Sequence, residues 1–593
     1  MEKKGSSLPL PTSSAALPRK NTSTRLINKA LILSLSAFAL VQLARSQLLF
    51  PEEVDPLRVF NHFGWNEAGA AEVSSSSWDA QATGGPRIAI IGAGAGGSSA
   101  AYFLKHFSKL TSRNLSTQVT IYEASDYIGG RSTVLWPWAD DPYAPPRHSA
   151  DEGEPEEEVE PVELGASIFV EANKNLQRAV REFGLETTNY GHEEDGDTGI
   201  WDGEKFVFKE SGKGWWDKTK LLWRYGRSPF KVKALVKTTV ESFTSLYSRE
   251  YVSSPSFPFT SLLNFSASLD LLSPAALSGS EYFASQSVSP LFTSELISAA
   301  TQVNYGTPID EIHGLGGLVS LAANGAVSVK GGNRQIFEQF VVNSEANLRL
   351  GTKVKEIVKL DKLDGSERSK WVVKTESGDD GGVYDAVILA APFHQASISI
   401  PQLPSHSVPP PQTYVNLHVT ILLTNASAPL ASYFGLSPKS TAPNSIFSTF
   451  TTPSTSKPNF NSLNYLKPLP ASIGLDFDPL GATVHVVKLF SAATLSTVEL
   501  DGIFGRGNVL KTIEHVWQSY PRLDPVRSER DLAKVRLEVD GGLYYVNGME
   551  RVISTMETET VSAYNVVSLL MKDFFGYKPP LSWAEWGERR KPN

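Results

Sequence analysis

The stretch from Arg87 to Arg131 constrains this chain more than any other. Arg87-Ile-Ala-Ile-Ile91 is an apolar run of strand length, and Gly92-Ala-Gly-Ala-Gly-Gly97 is a glycine turn. Ser98 to Phe107 then carries apolar residues at helical spacing (Ala100, Ala101, Phe103, Leu104, Phe107), and Val119-Thr-Ile-Tyr122 reads as a second strand. Strand, tight turn, helix and strand make a β-α-β unit, which commits this part of the chain to a parallel sheet with a crossover helix. The turn holds G-x-G-x-x-G in the context that gives the pattern meaning. Gly92 permits the tight turn, Gly94 lets a pyrophosphate approach the backbone, and Gly97 lets helix and strand pack closely. The helix N-terminus offers unpaired N–H groups to phosphates. Glu123 ends the second strand, where an acid accepts hydrogen bonds from ribose hydroxyls. The gap from turn to acid exceeds the usual ~20 residues, and the excess falls in the polar loop from Ser108 to Thr117.

After Glu123 the chain runs Ala-Ser-Asp-Tyr-Ile-Gly129-Gly130-Arg131. An acid, a short loop and Gly-Gly-Arg resemble the extended signature of a large flavoenzyme group that includes amine oxidases, phytoene desaturases and the Rab GDP-dissociation inhibitors. The resemblance implies FAD rather than a nicotinamide cofactor, with a second glycine turn beside it and Arg131 near its phosphates. It places the strand returning to this domain at Gly351–Ile357, with the Val354 backbone against the adenine. Tyr384–Pro392 reads as a buried parallel strand. The last cofactor segment is Gly542–Arg551, which contains Glu550. The helix from Ser554 to Leu570 would aim its N-terminus at the flavin pyrimidine and stabilise negative charge there.

At 593 residues the chain is long enough for more than one domain. A formal charge of −8 argues against a nucleic-acid partner, which needs clustered cations. With no cysteine, thiolate metal sites, disulfides and a cysteine nucleophile are all excluded. Ala30 to Ala44 is an apolar run preceded by Lys3, Lys4, Arg19, Lys20, Arg25 and Lys29 and followed by Glu52, Glu53 and Asp55. That asymmetry orients the remainder to a lumen. Residues 1–50 are therefore a signal peptide or an uncleaved signal anchor, the latter allowing membrane association. The triplets at Asn114, Asn264 and Asn425 fit a luminal glycoprotein of the lysosome, vacuole or secreted space. A linker follows at 51–86. The expected fold is α/β, a Rossmann-type FAD-binding domain of the amine oxidase/GDI-like kind interleaved with an α+β substrate domain. The FAD domain takes 87–194, 331–399 and 501–593, and the substrate domain 195–330 and 400–500. Asp140–Pro161 reads as a solvated acidic insertion, Trp215–Tyr251 as a basic amphipathic helix pair, and Ser437–Pro470 as a surface loop excursion.

Further strings resemble one family specifically, prenylcysteine oxidase (prenylcysteine lyase): Val162-Glu-Leu-Gly-Ala-Ser-Ile-Phe169, Gly199–Gly203, Asn304-Tyr-Gly306, Gly331-Gly-Asn333 and Tyr544–Asn565. The resemblance covers roughly 85–575 and implies an FAD oxidase that cleaves the thioether of farnesyl- or geranylgeranyl-cysteine. Its partners would be that small molecule and oxygen, and its products prenyl aldehyde, cysteine and hydrogen peroxide. The acidic and Ser/Pro insertions and the long leader depart from the family's animal members and touch substrate range and anchoring. The allylic, sulfur-bearing carbon stabilises positive charge by itself, so the protein mainly orients it and excludes bulk water. No general base stands out. His192, His313, His394 and His418 read as structural, and Lys330, just before Gly331, is the weak candidate for a flavin-side lysine. Two other readings fit the same motifs: a flavin oxidase of amines or polyenes, and a non-catalytic prenyl-binding escort.

Overall fold

The computed structural model describes residues 85–576, apart from 111–116, 147–158, 190–196, 211–213, 324, 361–367, 379, 451–456 and 539–540. The N-terminal apolar run, nearly all of the linker, Asn114, His192 and most of the acidic insertion lie outside the described residues.

Alternation along Arg87–Ile91 builds the first core. Ile88 and Ile90 face one side of a five-stranded parallel sheet, where they meet Phe103, Phe107, Phe340 and Tyr564 from three helices. Ala89 and Ile91 face the other side and pack with Val354, Ile357, Trp371 and Val373. These last residues belong to a small antiparallel sheet of Val354–Leu360, Lys370–Thr375 and Asp380–Tyr384. Such period-two division is what a strand buried on both faces requires. The parallel sheet runs in the order Leu543–Tyr545, Ala386–Leu389, Arg87–Ile91, Gln118–Tyr122, Asn347–Arg349. Its strands come from chain positions more than 450 residues apart, as the interleaved organisation expects. The fingerprint helix (Ala95–Leu110) lies against the C-terminal helix (Met556–Phe575) and the helix Arg334–Ser344. Phe103 edges onto Tyr564 at 5.2 Å and Phe107 at 5.1 Å. Burying each such ring is worth about 1.5–3 kcal/mol.

The second domain is a seven-stranded sheet in the order Val509–Pro521, Tyr414–Thr424, His485–Ser491, Ser462–Pro468, Ser445–Ser448, Thr198–Trp201, Phe206–Lys209. It corrects two sequence expectations. The Ser437–Pro470 region is no mere surface excursion: Ile446, Leu463 and Tyr465 alternate into the core, so two short strands arise inside polar sequence. The domain also continues past residue 500, because Val509–Pro521 pairs along the whole of Tyr414–Thr424. One sheet face meets the FAD domain through Leu417, Val419 and Ile421 against Leu135, Val162 and Leu164. Helices between Gly214 and Ser320 cover much of the rest. The two basic helices fall at Gly214–Tyr225 and Ser228–Thr244, close to their expected positions. Among the described residues no helix is long and apolar enough to cross a membrane.

Candidate active site

Two glycine turns face each other at the carboxyl end of the parallel sheet. Gly92 has φ +104°, and a Cβ there would stand 2.5 Å from the Ala390 carbonyl oxygen. A Cβ on Gly97 would lie 1.9 Å from the Gly92 oxygen, so strand and helix meet at a distance only glycine allows. Gly94 differs: its Cβ would find nothing nearer than the Gly129 oxygen and Gly130 Cα, both at 3.9 Å. It faces the second turn at ordinary contact distance, and the Gly129 N–H anchors that turn by donating to the Ala93 carbonyl at 3.0 Å. Gly129 and Gly130 both hold left-handed φ, +120° and +58°. Glu123 is buried beside this cradle. Its carboxylate accepts the Ala93 N–H at 2.7 Å and the Ser125 N–H at 2.8 Å. The Thr352 N–H donates to the Glu123 carbonyl, which brings the start of the Val354 strand alongside, where the adenine was expected.

Arg131 leaves the second turn and commits its guanidinium to protein. It pairs with Glu550 and donates to the Ser519 carbonyl at 3.0 Å. Glu550 is 1% exposed and also accepts from Asn547 Nδ2 at 2.6 Å and the Tyr414 hydroxyl at 2.8 Å. The two expected cofactor residues therefore form one spine, buried at Glu550, that ties the cradle to the second domain's sheet. The C-terminal helix begins where expected. Thr555 caps it, its hydroxyl accepting the Thr558 N–H at 3.1 Å. Glu557 accepts the N–H groups of Asn175 and Leu176 at 2.9 and 3.1 Å and the Tyr247 hydroxyl, fastening the start of helix Lys174–Phe183. Burial pushes its pKa up to about 7.

Two of the family-specific strings, Val162–Phe169 and Gly331–Asn333, form one joint. The Asn333 amide donates to the Ala166 carbonyl at 2.8 Å, and its backbone N–H to Glu163 at 2.6 Å. A Cβ on Gly332 would stand 2.7 Å from Val134. Gly331-Gly-Asn333 thus clamps Val162–Phe169, whose Gly165 lies against the Trp517 ring, 2.7 Å from the position of a Cβ.

Lys330 takes no part in this. It is exposed, with Nζ 4.0 Å from Glu186, so the flavin-side lysine expected there is a surface residue. The buried lysine is Lys488, 5% exposed, which donates to the Glu163 carbonyl and to Ser167 Oγ at 3.2 Å. Burial lowers its pKa and raises that of Glu163. A lysine inside the run His485–Ser491 was the available signal. Three of the histidines are structural, as expected. Burial lowers the pKa of His313 to about 4, and its Nδ1 accepts the Gly316 N–H at 2.9 Å as a helix cap. The His394 ring lies 3.0 Å from the Pro409 carbonyl, and His418 2.7 Å from Glu514.

The residues present fit a dinucleotide. Besides the two facing glycine turns, several buried polar atoms beside the cradle lack any protein partner: both Glu559 oxygens, Asn547 Oδ1, Ser519 Oγ, Trp517 Nε1 and Glu163 Oε2. Buried polar groups are usually paired, and a polar cofactor bordered by these segments would give these six atoms partners, although unpartnered atoms also occur elsewhere among the described residues.

Residues 90–183 match the NAD(P)-binding Rossmann-like domain, and residues 208–578 match prenylcysteine lyase. The second match takes in more than half of the chain, including five of the seven strands of the substrate-domain sheet in full. The chain belongs to the prenylcysteine lyase family. Farnesylcysteine lyase of Arabidopsis thaliana is 27% identical to it over 516 residues, covering 82% of this chain and 88% of the relative. Prenylcysteine oxidase 1 of Bos taurus is 26% identical over 522 residues, covering 85% and 92%. The solved structure of cyclohexylamine oxidase from Brevibacterium oxydans superimposes with a TM-score of 0.50 at 14% identity, over 82% of this chain and 99% of that one. The latter likeness concerns the fold alone. Family membership, the two glycine turns and the Glu123 acceptor together identify the cofactor of this flavoenzyme as FAD.

Proposed function

We propose that this lyase-family member oxidises the thioether of a prenylated cysteine. The observation that carries the reading is the family match over residues 208–578, because that span holds most of the domain that would select a substrate. The balanced reaction is prenylcysteine, oxygen and water giving prenyl aldehyde, cysteine and hydrogen peroxide. When bound, FAD supplies a two-electron acceptor for the hydride of the carbon next to sulfur. The cradle turns and Glu123 would hold that cofactor, while the Arg131–Glu550–Tyr414 spine fixes the second domain's sheet against it. The packed Leu417–Ile421 face excludes bulk water along that joint. A farnesyl chain of fifteen carbons gains roughly 10 kcal/mol gross on burial, before association costs. Chain length should then govern affinity more than rate.

Farnesylcysteine with oxygen and no nicotinamide is expected to give farnesal, cysteine and peroxide in equal amounts, read by chromatography and a peroxide assay. Flavin that stays oxidised under saturating farnesylcysteine without oxygen would sink the reading. Bleaching by an alkylamine instead would indicate an amine oxidase, and bleaching by neither a prenyl-binding escort.

We place the enzyme in the lumen of the secretory pathway on the strength of the charged, apolar leader. Of the described acceptor sites, Asn264 is exposed, whereas Asn425 donates to Asp478 at 2.8 Å and is half-buried. Expression in a secretory host should add endoglycosidase-sensitive mass that Asn264→Gln reduces. A chain recovered without glycan would overturn the luminal placement.

A further inference from the structure

One acid at the cradle has no role in the account so far. Glu559, in the first turns of the C-terminal helix, is 5% exposed, and neither of its carboxyl oxygens has a hydrogen-bond partner. A Cβ built on Gly96 would stand 3.2 Å from Glu559 Oε2. The carboxyl therefore hangs over the first turn of the fingerprint helix, the end that receives the diphosphate. The Glu559 N–H itself donates to the Thr555 carbonyl at 3.2 Å.

The charged groups around it act in opposite directions. Glu550 and Tyr545 face it from the segment before the helix, and Arg131 from the second glycine turn. The Arg131 guanidinium is committed to Glu550 and Ser519. From Ala95 to Ala101 the fingerprint helix has no ionisable side chain, and Glu557 on the same helix is turned to Asn175 and Leu176. Burial pushes the Glu559 pKa well above the carboxylate range, Glu550 adds to this, and Arg131 offsets part of it. An ionised carboxylate here would also oppose the two charges of a diphosphate. A neutral carboxyl has a donor to offer them, and a hydrogen bond from O–H to an anionic oxygen is among the stronger kinds.

We propose that Glu559 is a diphosphate-binding residue that works as a neutral carboxylic acid, donating its O–H to a phosphate oxygen of FAD and making cofactor retention depend on protonation. This rests on the FAD assignment and adds a residue to it. The sign follows directly: as pH rises and Glu559 ionises, the donor is lost and a like charge appears, so FAD leaves. An acidic lumen would then favour the loaded enzyme.

The test follows FAD release from the purified holoprotein by flavin fluorescence after dilution, between pH 5.5 and 8.5. Circular dichroism of every variant guards against misfolding. For the wild type, affinity should fall across this range as Glu559 ionises, by up to about tenfold per pH unit once it does so. Glu559→Gln keeps a donor that does not titrate. It should bind as the wild type does at pH 5.5, within about threefold, and hold FAD equally well at pH 8.5. Glu559→Ala should bind about tenfold more weakly than Glu559→Gln already at pH 5.5. A flat wild-type profile, or a Glu559→Gln profile that falls in parallel with the wild type, would overturn the proposal while leaving the cofactor assignment intact. A protein that carries no flavin at any pH would overturn both.

Discussion

Gly94→Ala is expected to leave the apoprotein as stable as the wild type and yet abolish FAD retention, whereas Gly97→Ala should damage the fold itself. The contrast follows from what each added methyl meets. At Gly94 the nearest atoms are 3.9 Å away, an ordinary contact, so the methyl strains nothing in the protein and instead stands between the two glycine turns where the diphosphate is expected to pass. At Gly97 the methyl would sit 1.9 Å from a backbone oxygen, which no side-chain rotation can relieve. Strand and helix must separate there, at a cost of about 1–3 kcal/mol or more. Denaturant unfolding of the apoproteins and flavin absorbance of the purified variants measure the two effects independently. If Gly94→Ala retained FAD, the dinucleotide would not pass between the two glycine turns.

Arg131→Met should be the most destabilising single change in the site. It removes the only cation paired with Glu550 among the described residues and leaves a carboxylate 1% exposed in a polar but closed pocket. Breaking a buried pair from one side typically costs about 3–5 kcal/mol, because the remaining charge is uncompensated. The hydrogen bonds from Asn547 and Tyr414 persist and set the lower part of that range. Adding Glu550→Gln to the Arg131→Met background should recover part of the loss, since the uncompensated charge is gone. Urea midpoints of the single and double variants test this. A loss under about 1 kcal/mol for Arg131→Met would mean that the spine is not what fixes the two domains.

The cradle could be read from the sequence because its determinants are local. Arg87–Ile91 is a strand with its expected bounds, and the fingerprint helix and Gln118–Tyr122 follow within a few residues of expectation. Each depends on neighbours a few positions away: apolar alternation, a turn only glycine can make, helical spacing. Only the tertiary structure could decide how ionisable residues are used. Lys330 and Lys488 look alike in sequence, but Lys330 ends beside Glu186 at the surface while Lys488 is buried against Glu163, 325 residues away. Arg131 and Glu550 are 419 residues apart, and no local pattern announces their pairing. Glu559 reads as an ordinary first-turn acid, favoured by the helix dipole, until Gly96 is seen to lie over it. The seven-stranded sheet escaped in part for the same reason. Ser445–Ser448 and Ser462–Pro468 are too short and polar to declare themselves, and become strands because partner backbones and the Trp201–Phe434 cluster bury their alternate side chains. Local conformational preference is written in adjacent residues, whereas burial and charge pairing are properties of the folded neighbourhood.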